Sequence, residues 1–202
     1  MKPPRGVYKI NVDGATAERG RNSSIAVIIR DYKEEAIAGM CRLLNENFYV
    51  LETELLTMEA GIPLAKDLGF QQIIIESNSL LAAQSISVKI ISGETGHIVQ
   101  GMLCNLDYFD NWKVQHVKRE FNRVAHELAH YAKCREVNLV REGCFPPIVS
   151  HLILQNRLRC DYFIVSLFFV LVLMKVNLIK KKKKVLILMQ LPLNQKKKKV
   201  LI

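Results

Sequence analysis

The spacing of the hydrophobic residues changes near residue 50, and this change limits the folds open to the chain. Before it, two short runs rich in β-branched residues and a third, mainly apolar run are separated by turn formers. They predict three strands, over 7–12 with an end at Asp13-Gly14, over Ser24–Arg30 and over Ala36–Leu43. After it, apolar residues recur at helical spacing from Leu51 to Ala65 and stop at Gly69. The pattern therefore predicts an antiparallel meander followed by a helix.

Shorter patterns continue the series. They predict a strand over 72–75, helices over Leu80–Ser87 and 98–106, a strand over 112–117 and a last helix over 123–133. A helix between two strands normally makes a right-handed parallel crossover. We therefore expect an α/β fold with a five-stranded mixed sheet, three antiparallel strands and then parallel additions, flanked by helices. Pro63 falls inside the first helix and should cost about 3 kcal/mol or kink it.

The positive charge of the chain is confined to its C-terminal part. The chain has 202 residues and a formal net charge of +10. Beyond residue 156 lie 12 of the 29 basic residues and one of the 19 acidic residues, which leaves the first 156 residues with a formal charge of −1. A positive surface of the kind that attracts nucleic acid is therefore not predicted for that part by its charge.

Residues beyond Pro146-Pro147 differ in character from those before. The apolar run 162–174 has 13 residues, fewer than the roughly 20 that a membrane-spanning helix needs, so membrane contact is disfavoured. The heptapeptide KKKKVLI occurs twice, at 181–187 and 196–202, as in low-complexity sequence or in A/T-rich DNA translated beyond an exon. We expect a domain over 5–145, an extension over 146–161, and a disordered or read-through tail over 162–202. A basic tail that lies on a membrane surface is the alternative.

The cysteines indicate a reducing compartment. None of the five forms a CxxC pair or has a histidine at zinc-finger spacing, so neither a disulfide framework nor a structural zinc is indicated. The N-terminus has no apolar segment typical of a secretion signal. We expect an intracellular monomer, nuclear or cytoplasmic, that is not secreted.

Five sequence blocks carry the candidate chemistry. They are PPRGVYKINVDGA at 3–15, IRD at 29–31, TEL at 53–55 with AKDLG at 65–69, IESNS at 75–79, and KREFNRVAHELA at 118–129. In this order, on a βββαβααβα pattern, the blocks resemble type-1 ribonuclease H domains of the reverse-transcriptase-associated kind. The resemblance covers about two-thirds of the chain.

The resemblance implies hydrolysis of the RNA strand of an RNA–DNA hybrid by two divalent ions, Mg²⁺ or Mn²⁺, held by four carboxylates. The four catalytic positions fall on Asp13, Glu54, Asn78 and His126. Asn78 keeps an oxygen ligand without a charge, and His126 offers a nitrogen that suits softer metals. We therefore expect Asp13, Glu54 and Asn78 to hold one ion at most. The chain should bind RNA–DNA hybrid or RNA without a small-molecule cofactor, and cleavage should be weak or absent.

Two other carboxylates compete for these roles. Glu59 lies five residues after Glu54, which at 100° per residue places it on the other flank of the apolar stripe, so Glu54 is preferred. Glu76 lies two residues before Asn78, could share its strand face and could substitute for it in part.

The nucleic-acid contacts implied by the resemblance lie near the first hairpin and before the last helix. The family's glycine-rich turn is replaced here by RGRNSS at 19–24, in which Arg19 and Arg21 could meet phosphates. The candidate binding residues are Asn22, Ser23, Ser24, Lys118, Arg119 and Asn122. A purely solvated role for the charges among them is the alternative.

Other functions remain open at this point. A retroelement-derived remnant without maintained activity and a protein-interaction module would both keep the fold without the chemistry. The sequence His126-Glu127-Leu128-Ala129-His130 is also an HExxH motif, which in metalloproteases binds zinc on a helix. It lacks the glycine and third histidine of the metzincin continuation, so zinc is the minor alternative.

Overall fold

The computed structural model describes residues 2–16, 22–143, 145, 147, 149–151 and 153–154, all of which belong to the unit Met1–Arg157. The predictions for Arg19, Arg21, the apolar run 162–174 and both lysine repeats lie outside the described residues.

Six strands form one mixed sheet in the order β5-β4-β1-β2-β3-β6. The strands are β1 (Tyr8–Ala15), β2 (Ser24–Arg30), β3 (Ala36–Leu43), β4 (Gln72–Ser77), β5 (Asn111–His116) and β6 (Leu139–Glu142). The pairs β1–β2, β2–β3 and β3–β6 are antiparallel, whereas β1–β4 and β4–β5 are parallel. The predicted five-stranded mixed sheet is therefore confirmed, with β6 added at one edge.

Helices cover both faces of the sheet. They are α1 (Val50–Asp67), α2 (Leu80–Ser87), α3 (Gly96–Leu106) and α4 (Arg123–Arg135), with a short 3-10 turn at Arg119–Phe121 before α4. Ile10 and Val12 of β1 pack in the core cluster that contains α1, α2 and α3, whereas Ala15 packs with α4. Because side chains alternate along a strand, Asn11 and Asp13 share the face of Ala15.

Two strand predictions need correction. The first strand does not end at Asp13-Gly14, because pairing with β2 continues through Asp13, Gly14 and Ala15. Asp13 therefore lies within a strand, where its backbone is paired with Ala26 of β2. Strand β6 was not predicted, because four residues with Val140 60% exposed carry too little alternation to signal a strand.

The helix predictions hold with small changes of boundary. Helix α3 begins at Gly96, two residues earlier than expected, and α4 runs on to Arg135. Pro63 lies inside α1, which continues past it to Asp67. Among the described helices, none is both long enough and apolar enough to cross a membrane.

Candidate nucleic-acid site

The ends of three parallel strands bring the predicted site residues together. Strands β1, β4 and β5 run in the same direction, so their carboxyl ends lie at one edge of the sheet. Asp13 is near the end of β1, Asn78 directly follows β4, and Lys118 and Arg119 follow β5. In open α/β sheets this edge is where ligands bind.

A close approach between β1 and α1 adds Glu54 to this edge. A Cβ atom on Gly14 would lie 2.6 Å from Cγ2 of Thr53, so only glycine lets the strand and the helix come this near. Glu54 is buried beside this contact, where it accepts hydrogen bonds from the Gly14 backbone amide and from Oγ of Ser77, 3.3 Å away. Its rival Glu59 lies instead beside Gly101 of α3.

His126 of α4 contacts Asp13 directly. Its Nδ1 atom lies 2.6 Å from Oδ2 of Asp13, and its Nε2 atom lies 3.1 Å from Nη2 of Arg119. With Nδ1 as donor to the carboxylate, Nε2 of a neutral imidazole accepts from the guanidinium. Arg119, His126 and Asp13 thus form a continuous hydrogen-bonded series that brings a positive charge toward the carboxylate.

Asn122 fixes the start of α4 against the sheet. Its Nδ2 atom donates to the carbonyl of Val12 over 2.7 Å and to Oδ1 of Asn78 over 3.2 Å. Asn78 in turn hydrogen-bonds the Asp13 carboxylate through its side chain. Because the Asn78 oxygen accepts from Asn122, its NH₂ group faces Asp13. This is the opposite of the orientation that a metal ligand needs.

Burial dominates the electrostatics of both carboxylates. Burial raises the pKa of Asp13, while the hydrogen bond to His126, the electrostatic interaction with its ring, and then the charge of Arg119 oppose that rise. Burial also raises the pKa of Glu54 to about 8, and the charge of Asp13 adds to this effect. Glu54 is therefore mostly protonated near neutral pH, when its charged form has no bound cation to stabilise it.

Glu76 does not substitute for the missing carboxylates. Its Oε2 atom accepts from Nδ2 of Asn11 over 2.9 Å, and its Oε1 atom accepts from Nε2 of Gln115 over 2.8 Å. Lys9 lies 3.8 Å from the same Oε2 atom. Both carboxylate oxygens of Glu76 thus accept hydrogen bonds from neighbouring strands, and Glu76 helps to hold β1, β4 and β5 together.

The predicted nucleic-acid contacts divide into exposed and buried residues. Lys118 and Arg119 are exposed and Asn22 is half-buried, so these three are accessible to a ligand. Ser23 and Ser24 are fully buried, which corrects the expectation that they face a nucleic acid. Ser24 donates to the carbonyl of Ala129 in α4, and Ser23 accepts from the backbone amide of Phe48. The buried Asn122 likewise acts on the position of α4.

These residues do not fit a pair of divalent ions. Two metals in one site need several negatively charged oxygen ligands. Here Asp13 is bonded to His126, burial favours the neutral form of Glu54, and Asn78 presents its NH₂ group. The described part of the chain holds no group of three or more His, Cys, Asp or Glu side chains placed to bind a metal ion.

The HExxH histidines lie together on α4 but gain no further support. The rings of His126 and His130 meet edge to face with their centroids 4.4 Å apart. His126 already bonds Asp13 through Nδ1, and burial lowers the pKa of His130.

Sequence reasoning missed two contributors to this site. The hydroxyl of Ser77 was not predicted to meet Glu54, and the need for glycine at position 14 was not recognised. Ser77 lies inside the IESNS block, so only its position at the end of β4 could have indicated it. The role of Gly14 depends on a contact with a residue 39 positions away and has no local signal.

The sheet order, the helices on both faces of the sheet, and the approach of Asp13 and Glu54 at one sheet edge define a ribonuclease H-like domain. The model of the family described as "Reverse transcriptase-like" matches residues 11–132, which is more than half of the chain. The chain therefore belongs to this family of ribonuclease H-like domains.

Solved structures of ribonucleases H share this fold. The N-terminal RNase H domain of a Mycobacterium tuberculosis protein, solved as a fusion with maltose-binding protein, is 16% identical with a TM-score of 0.59, over 64% of this chain and 94% of that one. RNase H1 from Halobacterium salinarum is 19% identical with a TM-score of 0.55, over 65% and 99%. LC11-RNase H1 in complex with an RNA/DNA hybrid is 19% identical with a TM-score of 0.55, over 64% and 98%. No curated protein matches the chain.

Proposed function

We propose that this domain binds RNA–DNA hybrid duplexes and that its hydrolysis of the RNA strand is weak or lost. Family membership and the hybrid held by the structurally similar LC11-RNase H1 support the choice of ligand. The observation that carries the loss of activity is the 2.6 Å contact between His126 and Asp13. It joins an imidazole to a carboxylate that the family resemblance makes a metal ligand.

The expected loss of hydrolysis follows from the small negative charge of the site. A ribonuclease of this type needs concentrated negative charge to hold divalent ions against the substrate phosphate. In this chain the site has two carboxylates, and the cationic guanidinium of Arg119 lies close enough to oppose the rise in pKa that burial causes at both. A single Mg²⁺ or Mn²⁺ ion, held mainly by substrate phosphate, is the most that we propose.

The test combines binding and cleavage by the full-length protein. We expect fluorescence anisotropy to give a several-fold higher affinity for an RNA–DNA hybrid than for duplex DNA of the same sequence. We expect a labelled hybrid to stay uncut, or nearly so, in both Mg²⁺ and Mn²⁺. Equal affinity for the two duplexes would favour the retroelement-remnant or protein-interaction alternatives. Rapid cleavage would show that two carboxylates suffice.

A further inference from the structure

The side chains around Asp13 form a site with cationic character. Arg119 is exposed, and only the Nη2 end of its guanidinium contacts His126. Lys118, next to it in the chain, is exposed as well. A guanidinium has five N–H donors in a planar fork that matches two phosphate oxygens. Arg119 is therefore able to bond His126 and a phosphodiester at the same time.

The position of Arg119 in the fold favours simultaneous contact with His126 and a phosphate. The 3-10 turn at Arg119–Phe121 leads from β5 into α4, so Arg119 stands at the same sheet edge as Asp13 and Asn78. The bond to His126 restrains a long side chain that would otherwise lose conformational freedom on binding. The NH₂ group of Asn78 faces the same carboxylate, so further donors line this edge.

We propose that Arg119, held by His126, binds a backbone phosphate of the hybrid without a metal ion, in the place where related enzymes use divalent cations. This inference rests on the proposed function and specifies its chemistry. In a metal-dependent site, Asp13 attracts the phosphate through a shared cation. Here Asp13 serves to hold His126, and through it Arg119, so its own negative charge opposes the phosphate.

Direct phosphate binding by Arg119 and phosphate binding through a metal ion predict different responses to chelation and to loss of the Asp13 charge. With the full-length protein at constant ionic strength, we expect the hybrid affinity to be the same within about twofold in Mg²⁺ and in EDTA. Asp13→Asn should raise the affinity in EDTA, because a repulsive charge is removed and a hydrogen-bond acceptor for His126 is kept. A metal bridge predicts loss of affinity in EDTA and again with Asp13→Asn.

The role of Arg119 is tested by its substitution and by the same substitution at a matched control residue, Arg135. Arg119→Gln should weaken hybrid binding about five- to tenfold and reduce the slope of log affinity against log salt by about one. Arg135→Gln makes the same charge change at the far, exposed end of α4 and should alter affinity by less than about twofold. Arg119 is exposed, so its substitution should leave the thermal unfolding temperature unchanged.

The outcomes separate the two proposals. Hybrid affinity that persists in EDTA and falls with Arg119→Gln more than with Arg135→Gln supports the inference. Hybrid affinity that needs Mg²⁺, or equal effects of Arg119→Gln and Arg135→Gln, overturns it while leaving hybrid binding intact. Absence of any preference for hybrid, with or without Mg²⁺, overturns the proposed function and the inference with it.

Discussion

A histidine at position 126 does more than remove one negative charge from the site. Its imidazole bonds the Asp13 carboxylate through Nδ1 and the Arg119 guanidinium through Nε2, so it brings a cation toward the buried acid. A buried carboxylate with no such partner would be strongly penalised. The residue at position 126 therefore changes the electrostatic environment of Asp13 as well as its own charge. A simple count of carboxylates understates this effect on the site.

Glu54 should make the stability of the domain depend on pH. Its pKa is about 8 in the folded protein against an ordinary value of 4.5, so the folded state keeps a proton that the unfolded state releases between these values. Stability should thus fall as pH rises from about 4.5 through about 8. Glu54→Gln should remove this loss. Above pH 8 the free energy of unfolding of this variant should exceed that of the parent protein by on the order of 2–4 kcal/mol.

Thermal unfolding at pH 5 and pH 9 measures this effect. Glu52→Gln, two residues earlier on α1, makes the same charge change and should keep the pH profile of the parent protein. Identical profiles for Glu54→Gln and the parent would mean that Glu54 is solvated and charged at neutral pH.

Restoring two carboxylates should restore hydrolysis. The double substitution Asn78→Asp and His126→Asp places acids at two positions whose side chains already contact Asp13. We expect Mg²⁺-dependent cleavage of a labelled hybrid to rise at least about tenfold above the parent protein, since metal binding then has four carboxylates. Adding Glu54→Gln to the double variant should abolish the gain. Cleavage that survived this third change would point to a contaminating nuclease.

At the scale of elements, the contact between β1 and α1 determines whether the acids meet. Gly14→Ala should destabilise the domain by about 1–3 kcal/mol, because the new Cβ would lie 2.6 Å from Thr53 Cγ2. Thr53→Ser removes that methyl group and keeps the hydroxyl that bonds the Tyr49 carbonyl. The double variant should therefore be more stable than the sum of the single effects predicts, by about 1 kcal/mol.

Denaturant unfolding of the four proteins in this cycle gives the coupling energy directly. Strictly additive effects would mean that β1 and α1 separate easily, and that the position of Glu54 is not fixed by this contact.

Most elements were predictable because their signals are local. Ser24–Arg30, Ala36–Leu43 and Leu80–Ser87 have the bounds that β-branched content and helical spacing indicate. The end of β1 was wrong because Asp13 and Gly14 favour a turn locally, whereas pairing with β2 outweighs that preference. Strand β6 exists only because the edge of β3 is available to pair with it.

The sequence predicted which residues form the candidate site better than it predicted their contacts. The order of the sequence blocks singled out Asp13, Glu54, Asn78 and His126, and the structure brings these four together. The burial of Ser23 and Ser24 could not be read locally, because both hydroxyls bond backbone groups distant in sequence. Side-chain orientation, such as the NH₂ group of Asn78 facing Asp13, depends on Asn122, 44 residues away.

At the scale of the whole molecule, the lysine runs should add affinity for nucleic acid without adding discrimination. Lysine binds phosphates as a point charge, and phosphate contacts carry little information on the kind of duplex. Replacing Lys180 to Lys184 and Lys196 to Lys199 by glutamine lowers the formal charge of the chain from +10 to +1. At low salt this should weaken binding to hybrid and to duplex DNA equally, by roughly 10- to 100-fold.

Parallel titrations of both duplexes over a range of salt concentrations test this expectation. The slope of log affinity against log salt should fall for both duplexes, because fewer counterions are released. The ratio of hybrid to duplex DNA affinity should stay constant, because we assign discrimination between the duplexes to the domain over 5–145. A ratio that fell with the lysines would transfer discrimination from that domain to the C-terminal part of the chain.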